Sequence, residues 1–287
     1  MQYHASLGTT TLLASLASAP LDELERGIRT LRPLVDDGTL AGIHLEGPYL
    51  SAARRGAHDP GMLRSPDLAE MQRLIETGGG TVRMVTLAPE LDGAEAVVPW
   101  LVANGVTVAL GYSDCDAETA RAAFGWGARV VTHLFNGMAP LRHSAPGLVG
   151  AALLDDRVTL ELILDGQHVS RDAVEILRRT APGRMALVSD AMSSTGCPDG
   201  DFAIAGSRVQ VRDGVAMLAD GSSLAGSTAA LGVGLALLSS IPGVSLSDAV
   251  AATSATAAQA IGLRQPGIHP GADADLLLLG ERPAPAS

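Results

Sequence analysis

Six residues that could do chemistry sit just where short apolar runs end. Glu46 follows HLEGPY's leading run, Tyr112 falls in LGYSD, His133 in VVTHLFN, Asp165 and His168 in LILDGQHV, and Asp190 in LVSDAM. Five runs therefore deliver a titratable group at the same relative place. A carboxylate and a neutral imidazole, Glu46 and His133, suit a divalent metal ion such as Zn2+. Such an ion lowers the pKa of bound water towards ~7 and polarises a carbonyl. A carboxylate at Asp190 could accept the water's proton and pass it to a leaving amine. Together these parts suit hydrolysis of an amide. His44 lies two residues before Glu46, on the same side of a strand, and reads as a structural group deeper in the interior.

The elements that must position these groups alternate in type. Apolar runs at 9–16, 41–48, 82–89, 106–113, 128–135, 158–165 and 185–191 predict strands covered on both faces, as in a parallel sheet. Leu21, Leu24, Ile28, Leu31 and Val35 share one helical face, and Asp36-Asp37-Gly38 ends that helix. Ser65-Pro66 predicts the next helix start, Asp116 a cap for a helix through Phe124, and Ser170 a cap for one through Leu177. Chemistry at strand ends is the habit of (β/α)8 barrels, which need eight strands. Only seven are visible here, so the first strand is expected upstream of this chain. Residues 202–218 alternate like a hairpin turning at Asp213-Gly214, small-residue helices are expected near 228–240 and 246–261, and 275–279 reads as a short closing strand. The expected domains are a barrel over 1–200 and 220–265 and a small β unit over 201–219 and 266–287.

Bulk composition narrows the partners. With 287 residues, 47% of them hydrophobic, the chain can bury one large core. A net charge of −11 with 3% aromatics argues against a nucleic-acid partner. The two cysteines, Cys115 and Cys197, form no CxxC pair. No apolar run reaches the ~18 residues of a membrane span, and the start carries no basic leader, so a cytoplasmic protein off the membrane is expected.

Seven blocks in order carry a specific resemblance: HLEGPYLSAARRGAHDP (44–60), VTLAPE (85–90), THLFNGM (132–138), PGLVGA (146–151), DGQHV (165–169), LVSDAM (187–192) and LAGST (224–228). They are similar to the signature blocks of N-acetylglucosamine-6-phosphate deacetylases, metal-dependent enzymes of the amidohydrolase superfamily. The resemblance implies a TIM-type barrel with part of a small β-sandwich. It implies hydrolysis of N-acetylglucosamine 6-phosphate to glucosamine 6-phosphate and acetate. Glu46 and His133 would be metal ligands, Asp190 the catalytic base and acid, and His58 the group that polarises the acetamide carbonyl. His168, Asn136 and the backbone of Gly137 would hold the sugar phosphate. A homodimer is implied as well.

The chain departs from the family pattern at two positions. Tyr112 stands where the family has a second metal histidine, and a phenol, with a pKa near ~10, is a poor substitute for imidazole. Asp114, Cys115 or water would have to stand in for that ligand. Ser144 stands where the family places a phosphate-binding arginine, which leaves Arg142 or His143 to compensate. These departures keep two alternatives open: a relative impaired by the lost ligand, and an amidohydrolase for another N-acyl substrate.

Overall fold

All seven apolar runs become strands, and each pairs with its neighbour in sequence. The computed structural model describes residues 2–263, 267–272 and 274–280. The parallel strands are β1 (Leu13–Ala17), β2 (Gly42–Glu46), β3 (Val82–Leu87), β4 (Thr107–Leu110), β5 (Val130–Val131), β6 (Thr159–Ile163) and β7 (Met185–Val188), hydrogen-bonded in that order. The run at 9–16 forms its strand later than expected, from Leu13. The helices before and between the strands are α1 (Gln2–Ser6), α2 (Leu21–Asp36), α3 (Leu68–Gly78), α4 (Ala94–Ala103), α5 (Ala117–Trp126), α6 (Gly147–Leu154) and α7 (Arg171–Thr180). Parallel neighbours need a crossover, which the intervening helix or loop supplies. A strand order without reversal is that of a barrel wall rather than of a doubly wound sheet. The fold is therefore an α/β barrel of the TIM kind, with β1 and β7 as the two edges of its seven-stranded curled sheet.

Local chemistry sets the helix ends. Asp67, not Ser65, caps α3 by accepting the Glu70 N–H, because Pro66 stays outside the helix. Asp116 caps α5 and Ser170 caps α7, as their positions in the sequence predict. On α2 the apolar stripe buries Leu24 and Ile28 against the sheet.

The barrel interior is layered. Near the strand starts, Met84, Ala109 and Val130 pack with Leu13, Ala260 and Ile261. Ala260 ends α10 (Ala255–Ala260), which follows α8 (Leu231–Ser239) and α9 (Leu246–Thr253), and its carbonyl accepts from the Thr107 hydroxyl. Above that plug runs a polar chain. Ser15 Oγ lies 2.9 Å from His44 Nδ1, His44 Nε2 lies 2.8 Å from Thr86 Oγ1, and Thr86 Oγ1 lies 2.8 Å from Thr132 Oγ1. Burial lowers the His44 pKa to about 4, so the ring is neutral, and the structural reading of His44 agrees with its saturated ring.

Two expectations for the C-terminal part are corrected. The single hairpin over 202–218 is a three-stranded antiparallel sheet of β8 (Gly200–Ile204), β9 (Ser207–Arg212) and β10 (Val215–Leu218). Ala205-Gly206 makes a first turn that the apolar alternation conceals, and Asp213-Gly214 makes the second. This sheet covers its own cluster of Met192, Val209, Val211, Ala216, Leu218 and Ala225. The expected closing strand over 275–279 is not a strand: Leu276 to Leu279 are exposed, and no described strand lies alongside to share ladder hydrogen bonds.

Candidate active site

The strand tips aim their side chains by an unusual backbone. Glu46 is the last residue of β2. Tyr112, His133 and Asp190 each lie two residues beyond their strand and take left-handed φ values of 50°, 31° and 47°. A non-glycine residue held there costs of order 1–3 kcal/mol, and such strain persists where the surroundings fix it. The result is that three strands turn their side chains over the same end of the barrel.

Glu46 is the hub. Its Oε2 lies 3.5 Å from His58 Nε2, and its Oε1 lies 3.7 Å from His133 Nε2. The two rings present opposite faces of imidazole chemistry. His58 Nδ1 accepts the Ser18 N–H at 3.4 Å, so a neutral His58 carries its proton on Nε2 and donates towards Glu46. His133 Nδ1 lies 3.1 Å from the Asn136 carbonyl, which can only accept, so Nδ1 carries a proton and the neutral ring turns a bare Nε2 towards Glu46. That lone pair and the carboxylate oxygen attract one another only through a cation between them, a proton on Nε2 or a metal ion. Despite burial, the His58 bond and the neighbouring rings keep the Glu46 carboxyl below the usual carboxylate range.

Tyr112 fills the remaining side of this cluster. Its ring is edge-on to His58 at a centroid separation of 4.7 Å and to His133 at 4.8 Å. Burial, together with the charges of Glu46 and Asp190, pushes its pKa well above the ordinary tyrosine value. Gly137 makes room for both rings: its φ is 58°, and a Cβ there would come within 3.0 Å of Tyr112 and 3.4 Å of His133.

The Glu46–His133 pair fits a shared divalent ion, with the Asn136 carbonyl as the outer partner that sets the tautomer. Among the described residues no group of three His, Cys, Asp or Glu is arranged to hold an ion. The two side chains named as substitutes for an imidazole at Tyr112 have other surroundings. Asp114 pairs with Arg54 at 2.7 Å, and burial pushes the Cys115 thiol up to about 12.

Two further carboxyls share the site. Burial and the nearby Glu46 charge raise the Asp190 pKa, the direction that suits a proton acceptor working near neutral pH. Glu161, on β6, faces the same interior. Burial and the charges of Glu46 and Asp190 raise its pKa to about 8. Sequence reading missed Glu161, although a lone Glu inside the apolar run VTLELIL was its signal.

His168 is fixed from behind. The Asp165 carboxylate accepts from His168 Nδ1 at 2.8 Å, from the backbone N–H of Gln167 and His168 at 2.9 and 3.0 Å, and from Ser227 Oγ at 2.8 Å. Burial opposes ionisation, but these bonds prevail and hold the Asp165 carboxyl well below the carboxylate range.

Other sequence candidates lie differently. The Asn136 side chain reaches back to the carbonyls of His133 and Leu134, both at 3.4 Å, so it shapes the turn that carries His133. Arg142 and His143 sit on an exposed turn closed by backbone bonds between Arg142 and Ala145, and neither side chain has a hydrogen bond among the described residues.

Comparison with known proteins accords with this geometry. Residues 4–286 match the model of the amidohydrolase family. An N-acetylglucosamine-6-phosphate deacetylase from Vibrio furnissii is 35% identical over 92% of this chain and 67% of its own length. An N-acetylgalactosamine-6-phosphate deacetylase from Escherichia coli O157:H7 is 36% identical over 91% of this chain and 70% of its own. The solved Mycobacterium smegmatis N-acetylglucosamine-6-phosphate deacetylase, a mutant in complex with N-acetylglucosamine 6-phosphate, superposes with a TM-score of 0.93 at 41% identity, covering 95% of this chain and 73% of that one.

Proposed function

Because the chain belongs to the amidohydrolase family, we propose that it hydrolyses the acetamide of N-acetylglucosamine 6-phosphate, giving glucosamine 6-phosphate and acetate. The observation that carries this reading is Glu46 set between two imidazoles of opposite tautomer, 3.5 and 3.7 Å away, beside the raised carboxyl of Asp190.

Glu46 and His133 would hold a divalent ion, for which Zn2+ suits the carboxylate and imidazole donors. Such an ion supplies Lewis-acid polarisation of an acyl oxygen and a lowered water pKa. Asp190 takes a proton from the attacking water and delivers it to the amine nitrogen as the C–N bond breaks. His58, protonated on Nε2, donates to the oxygen that gains charge in the tetrahedral stage. His168 turns Nε2 towards the sugar phosphate, while Asn136 and Gly137 shape the floor beneath it. Arg142 and His143 come from the exposed turn to the phosphate. The working assembly is a homodimer in the cytoplasm; among the described residues no helix is long and apolar enough to cross a membrane.

The test is acetate release from N-acetylglucosamine 6-phosphate by the purified chain, with and without added divalent metal. Release that a chelator abolishes is the expected result. A folded, metal-supplemented chain that releases none overturns the reading. Its N-acetylgalactosamine and unphosphorylated counterparts, run in parallel, define the substrate. The Tyr112 phenol, edge-on to both His58 and His133 where an imidazole would supply a further donor, favours a second reading, a site that binds the amino sugar without hydrolysing it. Binding of substrate with no acetate at any metal concentration would select it.

A further inference from the structure

Ser227 lies outside the residues assigned to the reaction, yet it touches both halves of the site. It is 2% exposed, in the segment that follows β10. Its backbone extends the tip of β7: the Ser227 N–H donates to the Asp190 carbonyl at 2.9 Å, and the Met192 N–H donates to the Ser227 carbonyl at 3.0 Å. The same carbonyl accepts from Thr195 Oγ1 at 3.1 Å. Ala191 and Ser227 thus form a parallel bridge immediately after the left-handed Asp190. Gly226 permits this approach, since a Cβ there, at φ 75°, would meet the Asp190 carbonyl at 3.2 Å.

The side chain faces the other way. Ser227 Oγ accepts the Ala229 N–H at 3.0 Å, which leaves its own proton for Asp165 Oδ2 at 2.8 Å. Asp165 Oδ2 is also the atom that accepts from His168 Nδ1. One hydroxyl therefore shares with the imidazole the Oδ2 of a carboxylate whose Oδ1 the backbone holds, while the same residue's backbone bonds Asp190.

We propose that Ser227 is a positioning residue, a bracket that sets the His168 imidazole through Asp165 and the Asp190 main chain in one piece. The inference rests on the deacetylase reading of the site. Without its hydroxyl, Asp165 Oδ2 keeps only the imidazole proton, while Oδ1 stays anchored by the Gln167 and His168 N–H groups. The tilt of the carboxylate about that anchor, and with it the His168 ring, loses its side-chain restraint, while the backbone bonds at Asp190 remain. Binding of the sugar phosphate should then suffer more than the chemical step.

The experiment compares Ser227→Ala and Ser227→Thr with the unaltered full chain. KM and kcat are measured for N-acetylglucosamine 6-phosphate, and the His168 ring signals are followed by NMR of 15N-histidine-labelled protein. Loss of one hydrogen bond to a charged partner corresponds to a rise in KM of about tenfold in Ser227→Ala, with kcat changed by less than about threefold. A displaced His168 Nδ1–H signal and recovery in Ser227→Thr complete the expected result. The proposal is overturned if Ser227→Ala leaves KM or the His168 signal where it was. It is equally overturned if kcat and KM change only in step with a lost folded fraction. Should Ser227→Ala not fold, Ser227→Cys, nearly isosteric and a weak donor, enters the same comparison. If the unaltered chain releases no acetate, the deacetylase reading fails, and the bracket is then judged on the His168 signal alone.

Discussion

The Tyr112 ring stands edge-on to His133, centroids 4.8 Å apart, and burial beside Glu46 and Asp190 raises its phenol pKa well above the ordinary value. A cation shared by Glu46 and His133 therefore meets a protonated phenol where a third donor would help. An imidazole in its place would offer a lone pair without first losing a proton. Tyr112→His should raise metal retained after dialysis, measured by inductively coupled plasma mass spectrometry. The gain in affinity should be at least ~10-fold, the scale that even an outer partner's loss produces. Acetate release should rise with it. Unchanged metal content in a folded variant would show that Tyr112 is not the weak point.

Asp190 offers a cleaner test of the proton transfer. Asn matches its shape and tolerates the left-handed backbone, φ 47°, so Asp190→Asn should fold as the unaltered chain does. It cannot accept a proton. Turnover should fall by about 10²–10⁴-fold, the usual worth of a positioned acid–base group. A variant with equal melting temperature and equal kcat would remove Asp190 from the mechanism.

Much of this arrangement is legible in the amino-acid order, and the losses have physical causes. The strands could be read because burial on both faces writes itself as continuous apolar runs, as at Gly42–Glu46, where every residue is buried. Tips could be read because polar residues interrupt those runs. Backbone conformation could not: nothing in the identity of Tyr112, His133 or Asp190 announces a positive φ, which the surrounding fold imposes. Nor could pairing be read. The leucines of 275–279 have strand-like composition, but a strand needs a neighbour's N–H and C=O groups, which local pattern cannot supply. The β8–β9 turn was hidden for a related reason, since Ala205-Gly206 continues the apolar alternation on both sides of it. Ser227 lay in a recognised block, LAGST, but its bonds to Asp190 and Asp165 span 37 and 62 positions, beyond any spacing argument.

His44 should prove structural. Its ring joins Ser15 on β1 to Thr86 on β3 beneath Glu46, and burial keeps it neutral with a pKa of about 4. His44→Leu fills much of the space but takes the imidazole from the buried Thr86 hydroxyl, while the exposed Ser15 hydroxyl can turn to water. The expected loss is about 1–3 kcal/mol of stability, measured by urea unfolding, since an unmet buried hydrogen bond costs that much. Metal content per folded chain should stay constant. A loss of metal with full stability would instead place His44 in the ion's surroundings.

Asp165 should make stability depend on acid in a defined direction. Burial opposes ionisation of its carboxyl, but the bonds from His168 and Gln167 outweigh it and hold the carboxyl well below the carboxylate range. A carboxyl whose folded pKa is depressed binds its proton more readily in the unfolded chain. The stabilisation it gives is complete above the unfolded pKa of about 4 and is lost as pH falls towards the folded value. Asp165→Asn removes the charge but keeps the shape. At pH 7 the variant should therefore be less stable than the unaltered chain, by about 1.5–3 kcal/mol for bonds to a charged acceptor. Below about pH 4 the two unfolding curves should converge, because the unaltered chain is then losing the same charge. Other carboxylates titrate equally in both proteins, so the difference between the curves isolates Asp165. A gap that stays constant from pH 7 to pH 3 would mean that the loss is one of packing, and that the charge on Asp165 does not hold His168 in place.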